Sequence, residues 1–257
     1  MLKFDLQKTD NLTKARAGVI KTSRGKIESP IFMPVGTQGT VKGITQKNLQ
    51  EIGTQILLGN TYHLYLRPGT GIIEHFGGLH KFMNWDKPIL TDSGGYQVFS
   101  LQDIRKITEN GVEFKSHLDG SKHFFSPERV VDIQRSLGSD IMMVLDECVP
   151  YPADEKYVAK SSDLSLSWAK RCKEHFEKTE PLYGYDQYLF GIGQGGMYPE
   201  QRKNYIERMK EIEFDGYAIG GLSVGEPAEK MYEITDVSTD NLPVNKPRYN
   251  KGIGMPE

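Results

Sequence analysis

The stretch Ile141-Met142-Met143-Val144-Leu145-Asp146-Glu147-Cys148 decides the fold. It is a short apolar run that breaks abruptly into polar residues, the pattern of a strand buried on both faces. Just before it, Ser126-Pro127-Glu128 marks a helix start, an N-cap followed by proline at the first helical position. Val130, Val131, Ile133 and Leu137 then give an apolar stripe, and Gly138 a stop. After it, a second helix covers roughly Val158 to Phe176 and a third follows Pro199. A buried strand bracketed by amphipathic helices is a βα unit.

Outward from this unit the rhythm repeats. Similar apolar runs occur at Pro34-Val35, Gln55 to Leu58, Pro88 to Leu90, Tyr188 to Ile192, Tyr217 to Ile219 and Tyr249 to Ile253. With the first, they make seven candidate parallel strands, whereas a closed (β/α)8 TIM-type barrel needs eight. The expectation is an α/β chain folded as one incomplete TIM-type barrel domain over residues 1–257, with its last units removed or supplied elsewhere. The rival is an open doubly wound sheet, although no Gly-x-Gly-x-x-Gly turn follows the first strand. Residues 1–33 read as a small antiparallel cap, with Ala17 to Thr22 and Ile27 to Phe32 as strands around Ser23-Arg24-Gly25-Lys26. Residues 107–118 read as a hairpin insertion around Asn110-Gly111.

Composition narrows the class. The 257 residues are 37% hydrophobic, enough for a sizeable core. With 32 basic and 34 acidic residues there is no overall positive charge, so any RNA contact must come from a local patch. Cys148 and Cys172 are the only cysteines, too few for a disulfide framework, and point to a reducing compartment, the cytoplasm. No apolar run has the length of a signal peptide or a membrane span.

The polar clusters fall just after apolar runs, where barrel strands deliver their C-terminal ends to an active site. Pro88 to Leu90 leads into Thr91-Asp92-Ser93-Gly94-Gly95-Tyr96-Gln97, and Leu145 into Asp146-Glu147-Cys148. Ile192 leads into Gly193-Gln194-Gly195-Gly196, and Ile219 into Gly220-Gly221-Leu222-Ser223-Val224-Gly225-Glu226. Two carboxylates, an amide, an aromatic face and glycines that admit a planar ligand suit a nitrogenous base. A phosphate pocket would show lysine or arginine among the glycines. Taken singly, Asp92 or Asp146 reads as an N-cap, Gln194 as a loop hydrogen-bonder, Tyr96 as core and Cys148 as a small buried hydrophobe. Four such clusters at successive strand ends make coincidence hard to sustain. His63, His75 and His80, like His117 and His123, lack companions at metal-ligand spacing and read as surface or loop histidines.

These clusters resemble the tRNA-guanine transglycosylase (queuine tRNA-ribosyltransferase) family. The match begins at Ala17-Gly18 and continues through Phe32-Met33-Pro34-Val35-Gly36-Thr37, Leu58-Gly59-Asn60-Thr61-Tyr62-His63-Leu64 and Arg67-Pro68-Gly69 to the last residue. The resemblance implies that Asp92 accepts a proton from the incoming base, that Ser93, Gly94, Gly95 and Tyr96 shape the pocket, and that Tyr96 stacks on the ring. Asp146 would hold the donor edge of the base, Gln194 its carbonyl, and the backbone at Gly221 and Leu222 its exocyclic group. The implied reaction is a double displacement in which an aspartate attacks the ribose, the wobble guanine of a queuosine-type tRNA leaves, and a 7-deazaguanine replaces it. The tRNA nucleotide would be extruded from its stack to reach the pocket.

Cys148 and Val224 resemble the bacterial branch, which uses the 7-aminomethyl form, and Glu226 would position the backbone that meets the aminomethyl group. Gly252, Ile253, Gly254, Met255, Pro256 and Glu257 resemble the start of an RNA-contacting loop. The family also implies a homodimer and a structural zinc bound by three cysteines and a histidine, ligands that this chain lacks. Its nucleophilic Asp-Cys-Val-Leu-Pro segment is also absent from these 257 residues, so the chain by itself is expected to be inactive. Where the family reads Leu-Met, this sequence has Asn250-Lys251, so a methionine over the base is replaced by Lys251. Two other readings stay open: a non-catalytic RNA-binding or partner subunit of the same family, and a sugar-cleaving barrel using Asp92 and Asp146 as acid and nucleophile.

Overall fold

The computed structural model describes residues 2–100 and 105–252. It opens with an antiparallel sheet of β1 (Lys3–Thr9), β2 (Arg16–Thr22) and β3 (Gly25–Ser29). Only β2 and β3 were legible beforehand. The strand β1, Lys-Phe-Asp-Leu-Gln-Lys-Thr, is almost wholly exposed and has no clean apolar face to betray it. The strand β3 ends at Ser29 rather than Phe32, because Pro30 has no N–H to continue the ladder.

The barrel part follows as β4 (Val35–Gly36), α1 (Gln46–Glu51), β5 (Leu57–Gly59), α2 (Thr61–Leu66), α3 (Thr70–His75), α4 (Leu79–Met83), β6 (Ile89–Thr91) and α5 (Gly95–Ser100). A second antiparallel sheet, β7 (Arg105–Thr108), β8 (Gly111–Lys115) and β9 (Lys122–Phe125), then interrupts the alternation. The expected hairpin is therefore three-stranded, and Thr108 pairs with Gly111, which puts Glu109-Asn110 at its turn. Trp168 Nε1 and Arg171 Nη1 both donate to Glu109 O at 2.8 Å and tie this turn to the helix behind it. The chain resumes with α6 (Pro127–Leu137), β10 (Ile141–Met143), α7 (Glu155–Lys178), β11 (Tyr188–Gly193), α8 (Pro199–Lys210), β12 (Gly216–Ile219), α9 (Ala228–Asn241) and β13 (Arg248–Asn250).

The helix signals act as read. Ser126 Oγ accepts from Arg129 N at 3.1 Å, and Gly138 ends α6 with a left-handed φ of +70°. Asp154 caps α7 by accepting from Tyr157 N at 2.9 Å, which starts that helix earlier than its apolar stripe does.

Seven strands form one parallel sheet in the order β13-β12-β11-β10-β6-β5-β4. Their order along the sheet follows their order along the chain with no reversal. A doubly wound sheet needs a reversal, and its crossovers then place helices on both faces. The steady order instead curls the sheet into an incomplete TIM-type barrel. The strands β5, β6, β10, β11 and β12 are wholly buried, whereas the two outer strands, β4 and β13, are partly exposed. One core cluster runs from Leu2 to Leu242. Among the described residues no helix is long and apolar enough to cross a membrane.

At the N-terminal end of the sheet, Asp140 and Asp215 sit directly before β10 and β12 and hold the neighbouring strands. Asp140 Oδ2 accepts from Ile89 N at 2.8 Å and from His80 Nε2 at 2.9 Å. Asp215 accepts from Leu2 N at 3.0 Å and Leu189 N at 3.1 Å. His80 is therefore no surface histidine: it is 4% exposed, and its sequence neighbourhood gave no sign of a partner 60 residues away.

Candidate functional site

The C-terminal ends of five strands carry the polar clusters. At the tip of β6, Asp92 is buried and its carboxylate takes four donors. Oδ1 accepts from Thr61 N at 2.9 Å and Gly94 N at 3.1 Å, and Oδ2 from Asn60 Nδ2 at 2.5 Å and Gln97 Nε2 at 2.9 Å. Asn60 and Thr61 come from the tip of β5, so Asp92 locks two adjacent strand ends together. With its lone pairs engaged, this carboxylate takes a further donor only if one of these gives way. Asn60, Thr61 and Gln97 were not singled out as site residues. The signal was present, since Asn60-Thr61 directly follows an apolar run as the other clusters do.

A second hydrogen-bond chain runs beside it. Ser93 Oγ donates to Asp146 Oδ1 at 3.2 Å, and Gln194 Nε2 donates to Asp146 Oδ2 at 2.6 Å. It joins the tips of β6, β10 and β11 through buried side chains. Gly95 permits this closeness, because a Cβ there would lie 2.6 Å from the Asp146 carbonyl oxygen. Gln194 Oε1 is buried with no hydrogen-bond partner among the described residues, an open acceptor in the middle of the cluster. The structure thus brings Ser93, Asp146 and Gln194 into direct contact, while Asp92 meets them only through its chain neighbour Ser93.

The remaining residues surround this chain. Tyr96, on α5, is 45% exposed, and Cys148 lines a small cavity with Gly95, Val98, Asp146 and Trp168. Leu222 is buried beyond β12. Glu226 Oε1 accepts from Ser223 N at 2.5 Å and Oε2 from Val224 N at 2.8 Å, which holds Ser223 in a left-handed φ of +57°. Ser223 Oγ donates to Gly252 O at 2.7 Å, linking this loop to the end of β13. Gly252 is exposed, and the RNA-contacting residues expected at Ile253, Gly254, Met255, Pro256 and Glu257 lie outside the described residues.

Two cations face the cluster. Lys251 N donates to Ile219 O at 3.2 Å, which sets this residue at the tip of β13 beside β12. Burial penalises its ammonium, but Asp146, then Tyr249 and Asp92, outweigh that cost and hold its pKa above the ordinary lysine value. Behind the β11 and β12 tips, Arg202 of α8 is fully buried. Burial lowers its pKa to about 10, so the guanidinium remains charged at neutral pH. Sequence reasoning passed over Arg202, since an arginine on a helix reads as solvated surface.

On the side of Asp92, Tyr62 Oη and His117 Nδ1 lie 2.9 Å apart, and the His63 and His117 rings meet edge to face with centroids 5.5 Å apart. Burial and the neighbouring His117 lower the His63 pKa. None of this forms a metal site. Among the described residues no three His, Cys, Asp or Glu side chains converge as ligands, and both cysteines are buried. A structural zinc does not fit the residues present.

A family model described as queuine tRNA-ribosyltransferase matches residues 10–257. A queuine tRNA-ribosyltransferase of Caldanaerobacter subterraneus subsp. tengcongensis is 60% identical over 256 residues, which are 100% of this chain and 67% of that protein. One of Thermoanaerobacter pseudethanolicus is 59% identical over the same shares, and one of Ruminiclostridium cellulolyticum is 57% identical over 99% of this chain and 67% of its own.

Proposed function

Because this chain belongs to the queuine tRNA-ribosyltransferase family, we propose that it carries the base-recognition part of a tRNA-guanine transglycosylase. The reaction is exchange of the wobble guanine of queuosine-type tRNAs for 7-aminomethyl-7-deazaguanine by double displacement. The observation that carries this reading is the buried Ser93-Asp146-Gln194 chain, with its unfilled acceptor at Gln194 Oε1 where three strand tips meet. A purine-like base has a ring N–H and an exocyclic amine beside a carbonyl, and this cluster offers the complementary acceptors.

In this reading Asp146 accepts from the donor edge of the base, and Gln194, expected to hold the base carbonyl, instead lies against that same edge because its amide nitrogen donates to Asp146. The backbone at Gly221 and Leu222 meets the base carbonyl and the 7-substituent, and Glu226 holds that backbone in place. Tyr96 is exposed enough to stack on an incoming ring, with Cys148 closing the floor. Asp92 takes a proton from the incoming base only after Gln97 or Asn60 releases Oδ2. Its four donors also make it a poor nucleophile, so attack on the ribose is assigned to another carboxylate. Residues 252–257 contact the tRNA, the protein works in the cytoplasm, and the whole enzyme is a homodimer with a structural zinc.

The test uses unmodified tRNA and isotopically labelled guanine. The 257-residue chain is expected to bind guanine saturably, to lose that binding on Asp146→Ala, and to incorporate no label into tRNA. Sustained incorporation would overturn the assignment of catalysis to a carboxylate outside this chain. Absence of guanine binding would overturn the base site itself.

A further inference from the structure

Among the described residues no carboxylate pairs with the buried Arg202, an arrangement costly enough to need a reason. Its Nη1 donates to Gly193 O at 2.7 Å and to Gly220 O at 2.8 Å, and its Nη2 donates to Gly196 O at 3.0 Å. The guanidinium therefore clamps the loops after β11 and β12, the two that carry Gln194 and Gly221. Three carbonyls converging on one group suit the rigid fork of arginine, which a lysine ammonium does not supply.

The Gly220 carbonyl is the informative partner. Glycines stand on both sides of the Gly220–Gly221 peptide, and Gly221 has φ +64°, so no side chain resists rotation of that peptide plane. The N–H of Gly220 is already used, donating to Gly193 O at 3.0 Å. In a trans peptide the carbonyl of one residue and the N–H of the next point in opposite directions. With the Gly220 oxygen held on Arg202, the Gly221 N–H faces away from it. No hydrogen bond within the described residues takes up that N–H. A Cβ on Gly221 would lie 2.6 Å from Gln194 Oε1, so this backbone borders the open acceptor of the site.

We propose that Arg202 is a positioning residue that locks the Gly220–Gly221 peptide with its N–H toward the site, and thereby makes the site select a base bearing a carbonyl at that edge. A flipped peptide would present the Gly220 oxygen and accept an amino group instead. This rests on the reading of the site as a base pocket.

The test compares guanine with 2,6-diaminopurine, which has an amino group in place of the 6-carbonyl. Binding to the 257-residue chain and to Arg202→Met and Arg202→Lys is measured by calorimetry, with thermal melts to confirm folding. The unaltered chain is expected to prefer guanine by at least about 30-fold. Arg202→Met is expected to cut that ratio about tenfold, because guanine loses a donor and diaminopurine gains an acceptor, while the selection Asp146 makes by the N1 proton, present on guanine and absent from diaminopurine, remains. Arg202→Lys keeps the charge but loses the fork, and is expected to give an intermediate ratio. If Arg202→Met does not fold, Arg202→Lys alone decides, since any loss of ratio supports the lock. The contribution of Asp146 is common to all three proteins and cancels in the ratios. Equal weakening of both bases, with the ratio unchanged, is what a merely structural arginine would give, and it overturns the inference while leaving the base site standing. If the unaltered chain binds neither base, the base site fails and the inference with it.

Discussion

Both ends of the parallel sheet carry buried aspartates, and Asp140 and Asp215 at one end differ from Asp146 at the other in what they hold. At the N-terminal end, Asp140 and Asp215 accept from the backbone of neighbouring strands, Ile89 N and Leu189 N. Arg24 Nε stands 3.5 Å from Asp140 Oδ1 and its guanidinium stacks over Tyr185, so this end is also closed from outside. At the C-terminal end, Asp146 accepts from the side chains of Ser93 and Gln194, and an open acceptor remains beside it. Carboxylates spent on main-chain amides stabilise a fold. A carboxylate held only by movable side chains is poised for a ligand, as expected for the two faces of a barrel.

Substitution can break this contrast. The largest effect is expected from Asp140→Ala, which strands the Ile89 N–H and His80 in the core. It should cost about 3 kcal/mol, read as a lowered urea midpoint, with guanine affinity of the folded protein unchanged within about twofold. A large loss of base binding there would erase the distinction between the ends. Asp146→Asn should behave in the opposite way, moving stability by less than about 1 kcal/mol while guanine affinity falls about 10- to 100-fold.

The smallest effect sharpens the contrast within the upper end. Lys251→Met removes an ammonium that faces Asp146 and Asp92. The affinity for 7-aminomethyl-7-deazaguanine, a cation, should rise about fivefold relative to guanine, because like charges a few ångströms apart repel by about 1 kcal/mol at the dielectric of water. The carboxylates keep the Lys251 pKa raised, so the ratio should stay flat across neutral pH and shrink with added salt. A ratio indifferent to both the substitution and salt would place the ammonium away from the bound base.

Much of this was legible beforehand at one end only. Scanning for polar residues after apolar runs finds Asp92, Asp146 and Gln194, and the structure brings Asp146 and Gln194 together at 2.6 Å. The same scan is blind to Asp140 and Asp215, which precede their strands, and to Arg202, whose carbonyl partners are glycines with no side chain to mark them. It also misjudged His80, and missed β1 and β9 because neither strand has a wholly apolar face.

By itself the sequence determined the seven parallel strands, three of their helices and the rim on which the polar clusters stand. Those features follow from apolar periodicity and capping residues, interactions that reach only a few positions along the chain. The tertiary structure alone decided which polar atoms are paired and which stay open. Gln194 meets Asp146 across 48 residues and Leu2 meets Asp215 across 213, and no local pattern encodes a contact at that separation.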